Sequence, residues 1–332
     1  MDLKELLETS VKHNASDLHL SEGLPPMIRA DGEMYQLPFD LLDNTAALSL
    51  LEQLMTKNQQ QDFKQKRELD FAIELNDMGR FRVNAFMQSR GFAAVLRTIP
   101  QHIPTLASIN APKIFEAFAN LSNGLVLITG ATGSGKSTTL AAIIDSINSE
   151  KSKHILTIED PIEFVHTSKK SLVNQREVHR DTHSFNQALR SALREDPDVI
   201  LVGELRDQET ISLALTAAET GHLVFATLHT SSAPKTINRI IDVFAAGDKP
   251  MIRSMLSGSL RAVVSQQLFR KKQGGRVAAH EIMLVNTAIR NLIREDKIAQ
   301  MVTVMQTGGA QGMQTMEQAV HKLKAQGEII SN

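Results

Sequence analysis

Residues 125–138 constrain this chain more than any others. Leu125-Val-Leu-Ile-Thr129 has the unbroken apolar character of a strand covered on both faces. Gly130-Ala-Thr-Gly-Ser-Gly-Lys-Ser-Thr138 follows at once, and a helical pattern runs from about Ser137 to Ile147. Strand, glycine-rich turn and helix in immediate succession force a tight loop whose N–H groups point inward. The helix adds the positive end of its dipole at the same place. Such a loop holds an anion, and the spacing G-x-x-x-x-G-K-[ST] makes that anion a phosphate chain. Lys136 brings a point charge to the β- and γ-phosphates, and Ser137 offers its hydroxyl to a magnesium ion between them. A nucleoside triphosphate is the expected ligand, cradled by Gly130, Thr132, Gly133, Ser134, Gly135, Lys136, Ser137 and Thr138.

With 332 residues the chain has room for two domains, and 42% hydrophobic content suffices for their cores. A formal net charge of −1 gives no support to a nucleic-acid partner, and one Tyr with no Trp leaves few stacking platforms. Absence of cysteine removes disulfides, thiolate catalysis and thiolate zinc sites. The start, Met1-Asp-Leu-Lys-Glu5, carries charge at once and lacks a signal core, and no apolar run is long enough to cross a bilayer. No membrane insertion is expected.

The expected fold class is α/β. The segment to about Arg97 reads as a small α+β domain. Leu3, Leu6 and Leu7 suggest an opening helix; Leu18 and Leu20 alternate with Asp17 and His19 as in a half-buried strand. Asp31-Gly32 is a hairpin signal, Leu48–Met55 reads as a helix, and Phe81, Val83 and Ala85 alternate with Arg80, Arg82 and Asn84. A linker over 98–112 is marked by Pro100 and Pro104. In the second domain, 113–332, apolar strands (125–129, 154–158, 199–202, 223–227) alternate with helical patterns, which means a parallel sheet covered on both faces. Ser184-Phe-Asn-Gln187 reads as a capping box, and Gly221 as a helix C-terminal cap. From about Pro250 the tail reads as all helix, with Ile252, Leu256, Leu260, Val263 and Val264 on one face.

Three further segments fall at strand C-terminal ends, where ligands bind in open α/β sheets. Thr157-Ile-Glu159-Asp160-Pro-Ile-Glu163 gathers three carboxylates able to orient magnesium or the attacking water. Taken alone, it is also a turn with solvated charge. In Asp198-Val-Ile-Leu-Val-Gly203-Glu204, an apolar strand ends in an acid that can hold the water shell of the magnesium or polarise a nucleophile. In Gly221-His222-Leu-Val-Phe-Ala-Thr227-Leu-His229, two histidines bracket a strand, and His229 is at the end where it can sense the γ-phosphate. A satisfied strand-end histidine is the plainer reading of His229. His154, His179, His183 and His280 lack metal-ligand spacing and read as surface or packing residues.

The strings GATGSGKST, TIEDPIEF, DVILVGELRD and GHLVFATLHT together resemble the Walker A, Asp box, Walker B and His box of the secretion ATPase superfamily. The likeness extends over nearly the whole chain. Ala288-Ile-Arg-Asn-Leu-Ile-Arg-Glu295 brings it nearest to the motors that retract type IV pili. The resemblance implies a PAS-like N-terminal domain, a RecA-like P-loop domain and a homohexameric ring binding ATP and Mg2+ between subunits. It implies that Glu163 activates or positions water. Glu204 would act through magnesium by way of water, with the choice of general base between the two glutamates open. Glu159 and Asp160 would lie at the nucleotide, and His222 and His229 would couple nucleotide state to conformation. Arg82 and Arg97 match arginines that reach the γ-phosphate from the N-terminal domain; Arg80 is a weaker match.

Implied partners are an inner-membrane platform protein of the pilus and a paralogous retraction ATPase, at the cytoplasmic face of the inner membrane. Two departures from the family pattern stand out: Ala245-Ala-Gly-Asp248 where relatives carry a proline-containing stretch, and a C-terminus at Asn332 that is slightly early. The alternatives are a pilus extension or type II secretion ATPase, a RecA-like DNA-dependent ATPase and a regulatory nucleotide-binding protein. The first usually has a longer N-terminal region and often a four-cysteine metal module.

Overall fold

The computed structural model describes residues 2–13, 15–30, 32–75, 79–99 and 102–329. Asp31 of the hairpin signal and Pro100 of the linker signal lie outside them. The chain divides into two compact units, residues 1–102 and 103–332.

The first unit runs α1 (Leu3–Lys12), β1 (Asp17–Ser21), β2 (Met27–Ala30), β3 (Glu33–Gln36), α2 (Asn44–Leu54), α3 (Lys57–Lys66), β4 (Glu68–Leu75), β5 (Gly79–Gln88) and β6 (Gly91–Ile99). Its antiparallel sheet has the order β3-β2-β1-β6-β5-β4. The period-2 alternation puts Leu18, Leu20, Val83, Ala85, Ala94 and Leu96 on one face, where they are buried with Leu6, Leu7, Leu50 and Phe63 of the three helices. Thr98 and Ile99 pair with Phe81 and Arg80, so the strand runs two residues past the expected boundary at Arg97.

The second unit runs α4 (Ile114–Ala119), β7 (Gly124–Thr129), α5 (Lys136–Glu150), β8 (His154–Glu159), β9 (Leu172–Glu177), α6 (Phe185–Ala192), β10 (Val199–Val202), α7 (Gln208–Glu219), β11 (Leu223–Leu228), α8 (Ala233–Asp242) and α9 (Lys249–Ser259). It continues with β12 (Leu260–Arg270), β13 (Arg276–Leu284), α10 (Thr287–Arg294), α11 (Met301–Thr307) and α12 (Met316–Ala325). The sheet order is β13-β12-β7-β11-β10-β8-β9. From β12 to β9 neighbours are parallel, and β13 is antiparallel to β12. Every residue of β7, β10 and β11 is buried, as unbroken apolar strands require. Val126 and Ile128 face Ile143 and Ile144 of α5 on one side, while Leu125 and Leu127 face the helices α6–α9 on the other.

The expected all-helical tail is corrected here. Ile252 and Leu256 belong to α9, but Leu260, Val263 and Val264 belong to β12. A strand buried on both faces lacks alternation, so its apolar residues fall at helical spacing by coincidence. Beyond β13 the chain is helical as expected. Ser184 accepts a hydrogen bond from the Gln187 N–H, and Gly221 takes φ +110° after α7.

Candidate functional site

Parallel pairing brings the C-terminal ends of β7, β11, β10 and β8 side by side, and each carries one of the sequence motifs. Neighbouring strands lie about 4.8 Å apart, so the four motifs span on the order of 15 Å.

At β7 the loop turns through positive φ at Gly130, Gly133 and Gly135. A Cβ on Gly130 would meet the Gln266 carbonyl oxygen at 2.4 Å, and one on Gly135 the Gln266 Nε2 at 2.7 Å. These two positions demand glycine for conformation and for space. Gln266, on β12, clamps the loop: its Nε2 donates to the Ser134 carbonyl at 2.7 Å and its Oε1 accepts from Thr139 Oγ1 at 2.8 Å. Lys136 Nζ donates to the carbonyls of Gly130 (2.8 Å) and Ala131 (3.0 Å). Burial lowers the basicity of Lys136, and the carboxylates of Glu204 and Glu163 oppose that shift, so both lie within electrostatic reach of the ammonium.

The remaining contacts follow strand order. From β7 to β11, Lys136 Nζ is 3.4 Å from His229 Nδ1. From β11 to β10, His229 Nε2 is 3.3 Å from Glu204 Oε1. Glu204 Oε2 accepts from Arg206 Nε at 2.8 Å, and Arg206 Nη1 reaches toward Asp160 Oδ2 beside β8 at 3.5 Å. Gly203 lets β10 run close to β8, since a Cβ there would be 3.1 Å from the Ile158 carbonyl oxygen.

Beside this network a cavity of about 40 Å³ is lined by Ser137, Glu159, Phe164, His166, Gly203 and Thr227. Burial pushes the Glu159 carboxyl up to about 7 despite hydrogen bonds from Thr157 and Gln175. Burial likewise lowers His166 to about 4. Ser134 Oγ is buried without a partner among the described residues. Inward-turned glycines, the Lys136 ammonium, the Ser137 hydroxyl and nearby carboxylates fit a phosphate chain with a hard cation.

Lys136, Glu163, Glu204, His229 and Asp160 are thus brought together, with Ser137 and Glu159 at the adjoining cavity. His222 is not among them. It lies before β11, bonded to the Ala217 carbonyl and Thr220, at the opposite end of the strand. The six residues of β11 separate the two histidines by roughly 20 Å. Arg82 and Arg97 lie in the first unit, directly opposite each other on β5 and β6. Each has an acidic neighbour, Asp70 at 3.7 Å and Asp17 at 2.8 Å. His280 is buried edge-on against Phe115. Sequence reasoning missed Gln266, Gln175 and the bridging role of Arg206. Arg206 was visible as the second residue after Glu204; neither glutamine lies in any of the four motifs.

Residues 1–331 match the family described as Type II/IV secretion system protein. The chain belongs to that family. A type IV pilus retractation ATPase, PilT, of Pseudomonas aeruginosa is 60% identical over 329 residues, which cover 99% of this chain and 96% of that protein. A twitching motility protein of Neisseria gonorrhoeae is 58% identical over 305 residues, covering 92% of this chain and 82% of that protein. A crystal structure of the pilus retraction motor PilT with bound ADP superposes with a TM-score of 0.93 at 47% identity, over 99% of this chain and 95% of that one. The α/β class and the P-loop ATPase assignment agree with this family membership. No helix among the described residues is long and apolar enough to cross a membrane.

Proposed function

We propose that this chain is an ATP-hydrolysing motor that retracts a type IV pilus and works as a homohexamer. The observation that carries the reading is the unbroken contact path Lys136–His229–Glu204–Arg206–Asp160 across four adjacent strand ends. All four motifs act on one bound nucleotide. The name of the 60% identical relative supplies the pilus.

Each residue's task follows from its place. The loop N–H groups of 130–138 and the α5 dipole hold the phosphates, and Lys136 holds the β/γ pair. Ser137, with Glu204 through water, would hold Mg2+, which when bound offsets phosphate charge. Water attacks the γ-phosphorus, the bond to the β-phosphate oxygen breaks, and a carboxylate takes the water proton. Glu163 is our choice for positioning that water, because it faces outward beside the loop. His229 links Lys136 to Glu204 and so reports phosphate occupancy. His222, at the far strand end, transmits rather than touches nucleotide. Arg82 and Arg97 stabilise transition-state charge from a first domain over 1–97. The linker, expected over 98–112, starts only after β6 ends at Ile99, and 113–332 is the ATPase domain. Partners are the platform protein at the cytoplasmic face of the inner membrane and a paralogous retraction ATPase.

The test is replacement of the cellular copy by Glu204→Ala. Cells should become hyperpiliated and lose twitching. Unchanged piliation and motility would remove the pilus assignment while leaving the ATPase intact. Loss of pili altogether would favour an extension motor.

A further inference from the structure

The segment after the β8 end has no strand partner among the described residues, yet it must hold Glu163 in register with the phosphate loop. Its burial alternates: Ile162, Phe164 and His166 are buried, while Glu163 and Val165 are exposed. That is the pattern of an extended segment with one face inward. In such a segment the backbone groups of residues 162, 164 and 166 point to one side. Buried backbone groups need partners, and none is available from a neighbouring strand. Side chains supply them instead. The Ile162 N–H donates to Glu177 Oε2 at 3.1 Å. The Phe164 carbonyl accepts from Gln175 Nε2 at 2.9 Å, and the His166 N–H donates to Gln175 Oε1 at 2.7 Å. Farther along, Asn148 of α5 donates to the Thr167 carbonyl and accepts from the Lys169 N–H.

Gln175 is the central rung. One amide mimics a peptide unit, satisfying a carbonyl and an N–H two residues apart. The same Nε2 also donates to Glu159 Oε1 at 3.1 Å. Gln175 therefore touches the carboxyl before the segment and the backbone on both sides of Val165. We infer that Gln175 is a positioning residue for hydrolysis, setting Glu159 and the Glu163-bearing segment against the phosphate loop. Its side-chain bonds go to Glu159 and to the backbone of Phe164 and His166. The inference rests on the reading that Glu163 positions the attacking water. It assigns Gln175 to the chemical step and not to nucleotide binding, because Gln175 bonds to the Asp-box segment while Gln266 bonds to the phosphate loop.

The experiment uses the full-length protein with Gln175→Glu, Gln175→Ala and Glu163→Gln. ATP hydrolysis, affinity for a fluorescent ADP analogue and thermal unfolding are measured on each. Gln175→Glu keeps the acceptor for His166 but loses both donated bonds and places a second carboxyl against Glu159. Both Gln175 variants should lose at least about tenfold in kcat, since one well-placed contact of about 1.4 kcal/mol is worth that factor. KM for ATP and ADP affinity should stay within about twofold, the signature of an interaction made in the chemical step. If Gln175→Ala fails to fold, Gln175→Glu alone decides. Wild-type kcat in a folded Gln175→Glu protein overturns the inference, as does a loss of ADP affinity that parallels the loss of rate. Glu163→Gln separates the two levels. If it hydrolyses normally, the Glu163 reading fails; if it is inactive while Gln175→Glu is normal, only the role of Gln175 fails.

Discussion

Gly130 shows how tightly single residues set this site. Its φ of +146° and the 2.4 Å approach of the Gln266 carbonyl to a built Cβ leave no room for a side chain. Backbone strain of this kind costs about 1–3 kcal/mol before the clash is counted. Gly130→Ala should lower affinity for a fluorescent ADP analogue at least about tenfold, the equivalent of 1.4 kcal/mol, and lower the melting temperature. Wild-type affinity in that variant would show that the loop is not shaped by this contact. His280 makes a second prediction, about pH. Burial lowers it to about 4, below the usual histidine value of about 6.5, so the unfolded chain takes up the proton first. Its contribution is complete above about pH 6.5 and is lost as pH falls toward 4, on the order of 3 kcal/mol in all. Replacing His280 by Leu should flatten the fall in stability between those pH values in chemical denaturation. An unchanged slope would mean that His280 is not held neutral.

At the scale of elements, helix ends carry measurable stability. Asp207 caps α7, its Oδ1 accepting from the Thr210 N–H at 2.8 Å and from the Thr210 hydroxyl at 3.1 Å. Asp207→Ala should cost about 1 kcal/mol, a drop of roughly 2–4 °C in melting temperature for a unit of this size. No shift would mean that the cap is replaced by solvent. The elements also show where sequence is informative. The parallel strands β7, β8, β10 and β11 were legible because each is an apolar run followed by its motif. β9 was not, since Leu172–Glu177 is a mostly polar edge strand whose side chains bind a loop. α3 was missed because Phe63 is its sole buried residue, and a capping box of Thr56 and Gln59 holds its start. β12 was misread because an apolar strand directly follows the amphipathic α9 with no turn signal between them.

At the scale of the whole molecule, each unit has its own core, and within the second the site is assembled from segments far apart in sequence. Lys136 and His229 are 93 residues apart, and Thr139 and Gln266 are 127. The four motifs were legible because each is local and chemically explicit. The order in which they touch was not, because it depends on the strand order β7-β11-β10-β8. His222 and His229 share one motif, but the six residues of β11 between them put them at opposite ends of the sheet. The central claim is that this strand order builds one hydrolytic site. It is tested most directly by comparing purified wild type, Lys136→Ala and Glu204→Ala in ATP hydrolysis and in binding of a fluorescent ADP analogue, at matched oligomeric state. We predict that Lys136→Ala loses binding, whereas Glu204→Ala binds as wild type and loses at least about a hundredfold in kcat, some 2.7 kcal/mol of transition-state stabilisation. Full hydrolysis by Glu204→Ala would contradict the account.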